Sequence, residues 1–287
     1  MAMVRLETSE LVMGVADNEP FGEHRAGYHS LALMRHRSHE ENLFVPAYCG
    51  VWFEHVVDGQ RDDREWYFEP RRAQVELSSP APGAACLHWP ELPLWGLEAR
   101  MEYRAVEPHF VDLTLAFTPR RRVALGPFLG FFFASYINHP EDMAIYFYGE
   151  DCDSGEKGLI RHCTPRHGTE STVRYAGAPQ VPPFSPDIGD HWMYASFSNR
   201  FFAEPFFFGY WRDFVYSLMF AEAEGVWFAH SPSGGGEGCP AWDFVLHTPE
   251  HEVNTTYSFR MRLMLSRKVG ASEIGEIYKD WRAGLAD

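Results

Sequence analysis

Cysteine is scarce in this chain and never paired in sequence. Cys49, Cys86, Cys152, Cys163 and Cys239 are scattered, with no CxxC spacing. An odd, dispersed set argues against a disulfide framework and predicts reduced, mostly buried thiols. Positive charge is also short: 25 Lys and Arg face 40 Asp and Glu, for a net charge of −15. Such a surface repels phosphate backbones and anionic lipid, so neither nucleic acid nor a membrane is an expected partner. No apolar run reaches the roughly 18 residues of a membrane helix. The start, MAMVRLETSE, lacks a charged segment followed by an apolar one, so no secretory signal is visible and a cytoplasmic location is expected.

Familiar motifs are missing too. There is no GxGxxG after a strand, no GxxxxGK[ST], no GxSxG and no HExxH. Nucleotide cofactors, α/β-hydrolase chemistry and zinc-protease chemistry are therefore disfavoured, and no cofactor is expected. A divalent metal stays open, because carboxylates are plentiful and ligands from distant strands leave no spacing signature.

Helical periodicity is nearly absent. Strand-like runs recur instead, rich in β-branched and aromatic residues and separated by turns such as Asp58-Gly59, the 78–83 Ser/Pro/Gly cluster and Asp153-Ser-Gly155. In the run 97–106, Leu97, Ala99, Met101 and Tyr103 share one face, and Glu98, Arg100, Glu102 and Arg104 the other. Only 272–286 reads as a solid helix, with Ser272 as its cap and Ile274, Ile277, Tyr278 and Trp281 as its apolar stripe. Short helical turns are expected at 11–13 and 206–212. The irregular stretch 179–190 has the length of a functional loop. No linker or repeat divides the chain, so residues 1–287 are expected to form one domain. The fold class is all-β: a large antiparallel two-sheet sandwich with a short C-terminal helix.

Chemistry-bearing residues collect in six places. Glu54 and His55 are adjacent on a strand, so alternation lets only one of them face a pocket. His88 and Trp89 precede the 97–106 strand. Tyr136 and Asn138 end an apolar strand, where polar groups become exposed. Arg166 and His167 close a segment with two Arg-His pairs, a guanidinium fork beside a candidate general base. Arg212 ends a dense aromatic run. His230, Trp242 and Asp243 bracket a glycine-rich loop, HSPSGGGEGCPAWDF, whose glycines permit close backbone approach to a ligand.

Three of these stretches carry a resemblance. Phe53-Glu54-His55 with Asp58-Gly59, Ala134-Ser-Tyr136-Ile-Asn138 with Pro140 and Asp142, and His230-Ser-Pro-Ser-Gly-Gly-Gly with Pro240-Ala-Trp242-Asp243-Phe resemble a group of uncharacterised bacterial proteins. That group is similar to the galactose-mutarotase-like, or supersandwich, superfamily. The resemblance covers about residues 27–265. It implies a supersandwich with a sugar or uronate ligand on its concave face, but it does not fix the reaction. The expectation is a carbohydrate-active enzyme of lyase or epimerase type using general acid–base chemistry. His167 would be the base and Tyr136 the acid or second base. Asn138, Arg166 and Arg212 would stabilise oxyanion charge, and Glu54, His55, His88, Trp89, His230, Trp242 and Asp243 would hold the sugar. A non-catalytic carbohydrate-binding or accessory protein, a metal-dependent small-molecule enzyme and a homo-oligomer all stay open.

Overall fold

The computed structural model describes residues 3–188, 192–249 and 251–285. Strands β1 (Met3–Glu7), β2 (Leu11–Ala16), β3 (Ser30–His36) and β4 (Trp52–Val57) come first. Two one-turn helices follow, α1 (Arg64–Tyr67) and α2 (Glu69–Arg72). Then come β5 (Glu76–Ser78), β6 (Ala84–Leu92), β7 (Leu97–Val106), β8 (Phe110–Pro119), β9 (Leu129–Ala134), β10 (Ile145–Asp151), β11 (Glu156–His162) and β12 (Thr172–Tyr175). The last elements are β13 (Phe197–Phe202), β14 (Phe206–Trp211), β15 (Phe214–Phe220), β16 (Val226–Ser231), β17 (Ala241–Thr248), β18 (Tyr257–Arg267) and the helix α3 (Ala271–Ala283).

The first three strands form a small sheet. The other fifteen form one ladder, ordered β4-β9-β17-β16-β12-β13-β10-β14-β15-β18-β8-β7-β6-β5, with β11 joined to β10. Its two halves face each other. Phe53 on β4 meets Trp89 on β6 at 5.5 Å, Phe117 on β8 meets Phe131 on β9 at 4.4 Å, and Phe220 on β15 meets Phe244 on β17 at 5.1 Å. None of these strands are ladder neighbours, so the rings touch across the interior of a two-layer sandwich. Each such ring pair adds about 0.5–1.5 kcal/mol to what area burial supplies.

The alternation read in 97–106 is present in β7, where Leu97, Ala99, Met101 and Tyr103 are buried and Arg100, Glu102 and Arg104 exposed. The helical turns expected at 11–13 and 206–212 are strands instead, β2 and β14. Every residue of β2 is buried. A strand covered on both faces carries no two-residue alternation, so an apolar run alone does not separate it from a helix. The tail helix begins one residue earlier than Ser272 and has Gly270, not Ser272, at its cap; position 286 lies outside the described residues. Ile274, Tyr278 and Trp281 pack on Phe206, Phe208, Met219 and Met264. All five cysteines are free, and only Cys152 is fully exposed. No helix among the described residues is long and apolar enough to cross a membrane.

Candidate functional site

A β-bulge builds the site. On β4, Phe53 pairs with Phe133 of β9 and His55 pairs with Phe132, so two successive β9 residues face partners two apart. Glu54 is the extra residue. A bulge breaks the alternation of side chains, so both Glu54 and His55 line the same cavity. The expectation that only one could do so is corrected on this ground.

The cavity encloses about 190 Å³, room for a single sugar ring. Beside Glu54 and His55 it is lined by Tyr136, just past β9, by His167 from the loop after β11, and by Ser231, Gly234, Ala241 and Asp243 from β16, β17 and the glycine-rich loop between them. Arg64 and Phe68 close one side; Trp192, Met193 and Tyr194 close another. The Trp192 indole N–H donates to Asp62 at 2.7 Å, which fastens that wall to the segment before α1. A wider depression of about 480 Å³ lies between β6–β8, β18 and α3. Its Asp112 is tied to Arg262 by two hydrogen bonds.

Burial dominates the electrostatics. It raises the Glu54 carboxyl to about 8, against the pull of Arg71 and a hydrogen bond from Tyr136. It also raises Asp243 well above the carboxylate range; the Ser135 N–H, 3.0 Å from Oδ1, opposes this and the charge of Glu54 adds to it. Two carboxyls that cannot ionise together therefore share one pocket. His55 is lowered to about 3 by burial first, then by Arg64 and His167. Both its ring nitrogens are buried without a hydrogen bond; Nε2 lies 3.5 Å from Glu54 Oε1. The His167 ring is oriented by a 3.0 Å contact between Nδ1 and Ser231 Oγ. Burial and the neighbouring carboxyls push the Tyr136 hydroxyl up, so it keeps its proton at neutral pH.

The structure thus gathers Glu54, His55, Tyr136, His167 and Asp243 and leaves seven expected residues outside the cavity. Arg166 is exposed and donates to Thr169 at 2.8 Å. Asn138 Nδ2 donates to the Asn42 carbonyl. Arg212 is held on the surface by Glu41, Glu141 and the His139 carbonyl. His88 lies between Glu76 and Glu98. Trp89 is core, its indole N–H donating to Pro70 and its ring beside His29. His230 is a satisfied buried histidine: Nδ1 accepts from the Thr164 N–H and Nε2 donates to the Met143 carbonyl. Trp242 is fully buried and donates to the same carbonyl. It points opposite to Asp243, as strand neighbours do.

Arg64 and Trp192 were not foreseen. The charged run Arg61-Asp-Asp-Arg-Glu-Trp-Tyr-Phe68 has no strand pattern, and that interruption was the available signal. Trp192 lies two residues past the irregular stretch 179–190. No group of three His, Cys, Asp or Glu side chains among the described residues is arranged to hold a metal ion.

No protein-family model matches the sequence, and no curated protein matches it significantly. Solved structures do. A candidate aldose 1-epimerase from Escherichia coli K12 superposes with a TM-score of 0.54 at 9% identity, over 93% of this chain and 99% of that one. A galactose mutarotase-like protein from Lactobacillus casei gives 0.50 at 10% identity, over 92% and 100%. An α-N-acetylgalactosaminidase from Bifidobacterium bifidum gives 0.51 at 11% identity, over 97% of this chain and 38% of that one. At such identities the likeness establishes the fold, a galactose-mutarotase-like sandwich.

Proposed function

We propose that this protein is a carbohydrate-active enzyme that transfers protons to and from a sugar ring, interconverting its anomers by ring opening. The observation that carries the reading is the buried Glu54 carboxyl, held protonated to about pH 8 in the same cavity as His167. Ring opening needs a proton donor at the ring oxygen and an acceptor for the anomeric hydroxyl proton. Glu54 is the donor and His167 the acceptor; the two exchange roles when the ring closes on the other face. A donor with a pKa near the working pH suits this exchange. Asp243 favours the protonated state of Glu54 by like-charge coupling, and Tyr136 is a positioning residue that hydrogen-bonds Glu54. The His55 ring lines the pocket beside Glu54, and Trp192 offers a ring face. The fold likeness to a candidate aldose 1-epimerase supports the same reading.

A partly open pocket that sets a buried acid, Glu54, beside an exposed base, His167, favours catalysis over a purely binding role, which needs only an aromatic platform. Anomer exchange of aldoses and uronates, followed by NMR, tests the proposal. The wild type should accelerate exchange. Glu54→Gln and His167→Ala should each lose about 10²–10⁴-fold while melting as folded proteins. Exchange at the solvent rate for every sugar contradicts the reading. An unsaturated product from uronates would reassign the same residues to elimination.

A further inference from the structure

The α1–α2 segment brings three guanidiniums to the pocket mouth, and none of them lies within ion-pair distance of an acid among the described residues, although Arg71 acts on Glu54 and Arg72 on Glu69 from farther off. Arg64 lines the pocket, and together with Arg71 and Arg72 it also lines an adjoining open shelf of about 670 Å³, with Phe68 and Glu65 completing the lining. Arg64 lies 5.7 Å over Phe68 and 5.6 Å over Trp192. Arg71 lies 4.8 Å over Tyr28 and 5.9 Å over Trp52. Arg72 hydrogen-bonds only the backbone carbonyl of Glu65. Arginines such as Arg120, Arg161, Arg200, Arg212 and Arg262 are tied to a carboxylate, and others such as Arg25, Arg35, Arg166 and Arg174 are not; what marks this trio is that its members converge on one shelf. In a chain with 40 acids to 25 bases, three guanidiniums converging on one shelf form a local anion surface. Glu65 offsets one of the three charges and leaves the shelf positive.

We infer that the ligand is an acidic oligosaccharide. One ring enters the pocket, and the anionic groups of the next sugar rest on Arg64, Arg71 and Arg72. This inference takes the pocket to be the sugar site proposed above and adds the substrate class. The pocket's size limits it to one ring, while the shelf continues outward from Arg64, the one residue common to the arginine shelf and the pocket besides Phe68.

Calorimetric titration decides it. The probes are a uronic-acid disaccharide and trisaccharide, a sulfated disaccharide, a neutral disaccharide, a free uronate and a hexose 6-phosphate. The proteins are the wild type, Arg72→Gln, Arg64→Gln/Arg72→Gln and Arg72→Glu; both side chains are exposed, and a melting curve checks each fold. Acidic disaccharides should bind at least tenfold more tightly than the neutral one. The double variant should lose about tenfold or more per guanidinium, the reversal should lose more than neutralising Arg72 alone, and salt should weaken only the acidic ligands. Whether uronic or sulfated chains win names the source of the anion. Equal binding of neutral and acidic disaccharides, indifference to the arginine variants, or a monosaccharide binding as tightly as the disaccharides overturns the inference. Neutral sugars bound and turned over would overturn it while leaving the pocket reading intact; no binding by any saccharide would overturn both.

Discussion

At the scale of single residues, Glu54 governs both chemistry and stability. Its carboxyl holds a proton to about pH 8 in the fold, against 4.5 as its ordinary value. The folded chain therefore binds the extra proton between those values. The stability that goes with it is fully present below about 4.5 and is lost as pH rises through about 8. Glu54→Gln keeps the shape and removes the titration. Its urea midpoint should exceed that of the wild type at pH 8.5 and match it at pH 5, while its activity falls. An equal difference at both pH values would contradict the assigned titration. Residue types at the site were partly legible in the sequence, since Glu54, His55, Tyr136, His167 and Asp243 were all singled out. The sequence points to His167 as the base, as in the proposed mechanism, but to Tyr136 rather than Glu54 as the acid, because burial sets which groups stay protonated and one sequence shows no depth.

At the scale of elements, the β4 bulge and the glycine-rich loop decide what reaches the cavity. A bulge leaves no mark in a run as uniform as Val51-Trp-Phe-Glu-His-Val-Val57, so alternation misplaced one of its two polar residues. The glycine loop divides into wall and core. A Cβ at Gly234 would come within 2.6 Å of Ala241 Cβ and 3.3 Å of the Tyr136 ring. A Cβ at Gly209 on β14 would come within 2.2 Å of the Trp242 ring. Gly234→Ala should therefore raise KM or lower kcat, at some cost in melting because the buried Ala241 Cβ on β17 has to give way. Gly209→Ala should cost about 1–3 kcal/mol by overpacking and leave the pH profile of activity unaltered. Urea unfolding beside steady-state kinetics separates the two, and reversed effects would place the pocket wall on the wrong residues. The stacking expected of Trp242 failed at this scale too. Glycine-rich loops advertise close approach, but not whether the partner is a ligand or an indole.

At the scale of the molecule, the sandwich buries ionisable groups of both kinds. Burial lowers His29, His55 and His162 to about 3 and His230 and His247 to about 4. These groups bind protons more readily unfolded, so stability falls as pH drops below about 6.5. Burial raises Glu54, Asp243 and Glu69, which act the other way above their ordinary values. The histidines outnumber those carboxyls. Stability should therefore peak near pH 6.5 and decline on both sides, steeply with acid, when urea midpoints are followed from pH 4.5 to 9. A flat profile would show that these groups are hydrated rather than buried. The two-layer sandwich was the most legible feature of the sequence, because strands half-covered by the core alternate openly, as β7 does. The buried strands β9, β15 and β16 were legible from their β-branched and aromatic content, whereas β2 and β14 and the one-turn helices were not, since none of these produces a periodic pattern.

The proposed ring opening depends most on Glu54 being an acid at neutral pH. Carbon-13 NMR of protein labelled at glutamate side-chain carboxyls measures this directly, with the Glu54→Gln spectrum identifying the resonance. The account predicts that it titrates near 8, well above the 4.5 of an ordinary glutamate. A midpoint near 4.5 would leave Glu54 ionised at neutral pH, with no proton to donate, and would contradict the mechanism.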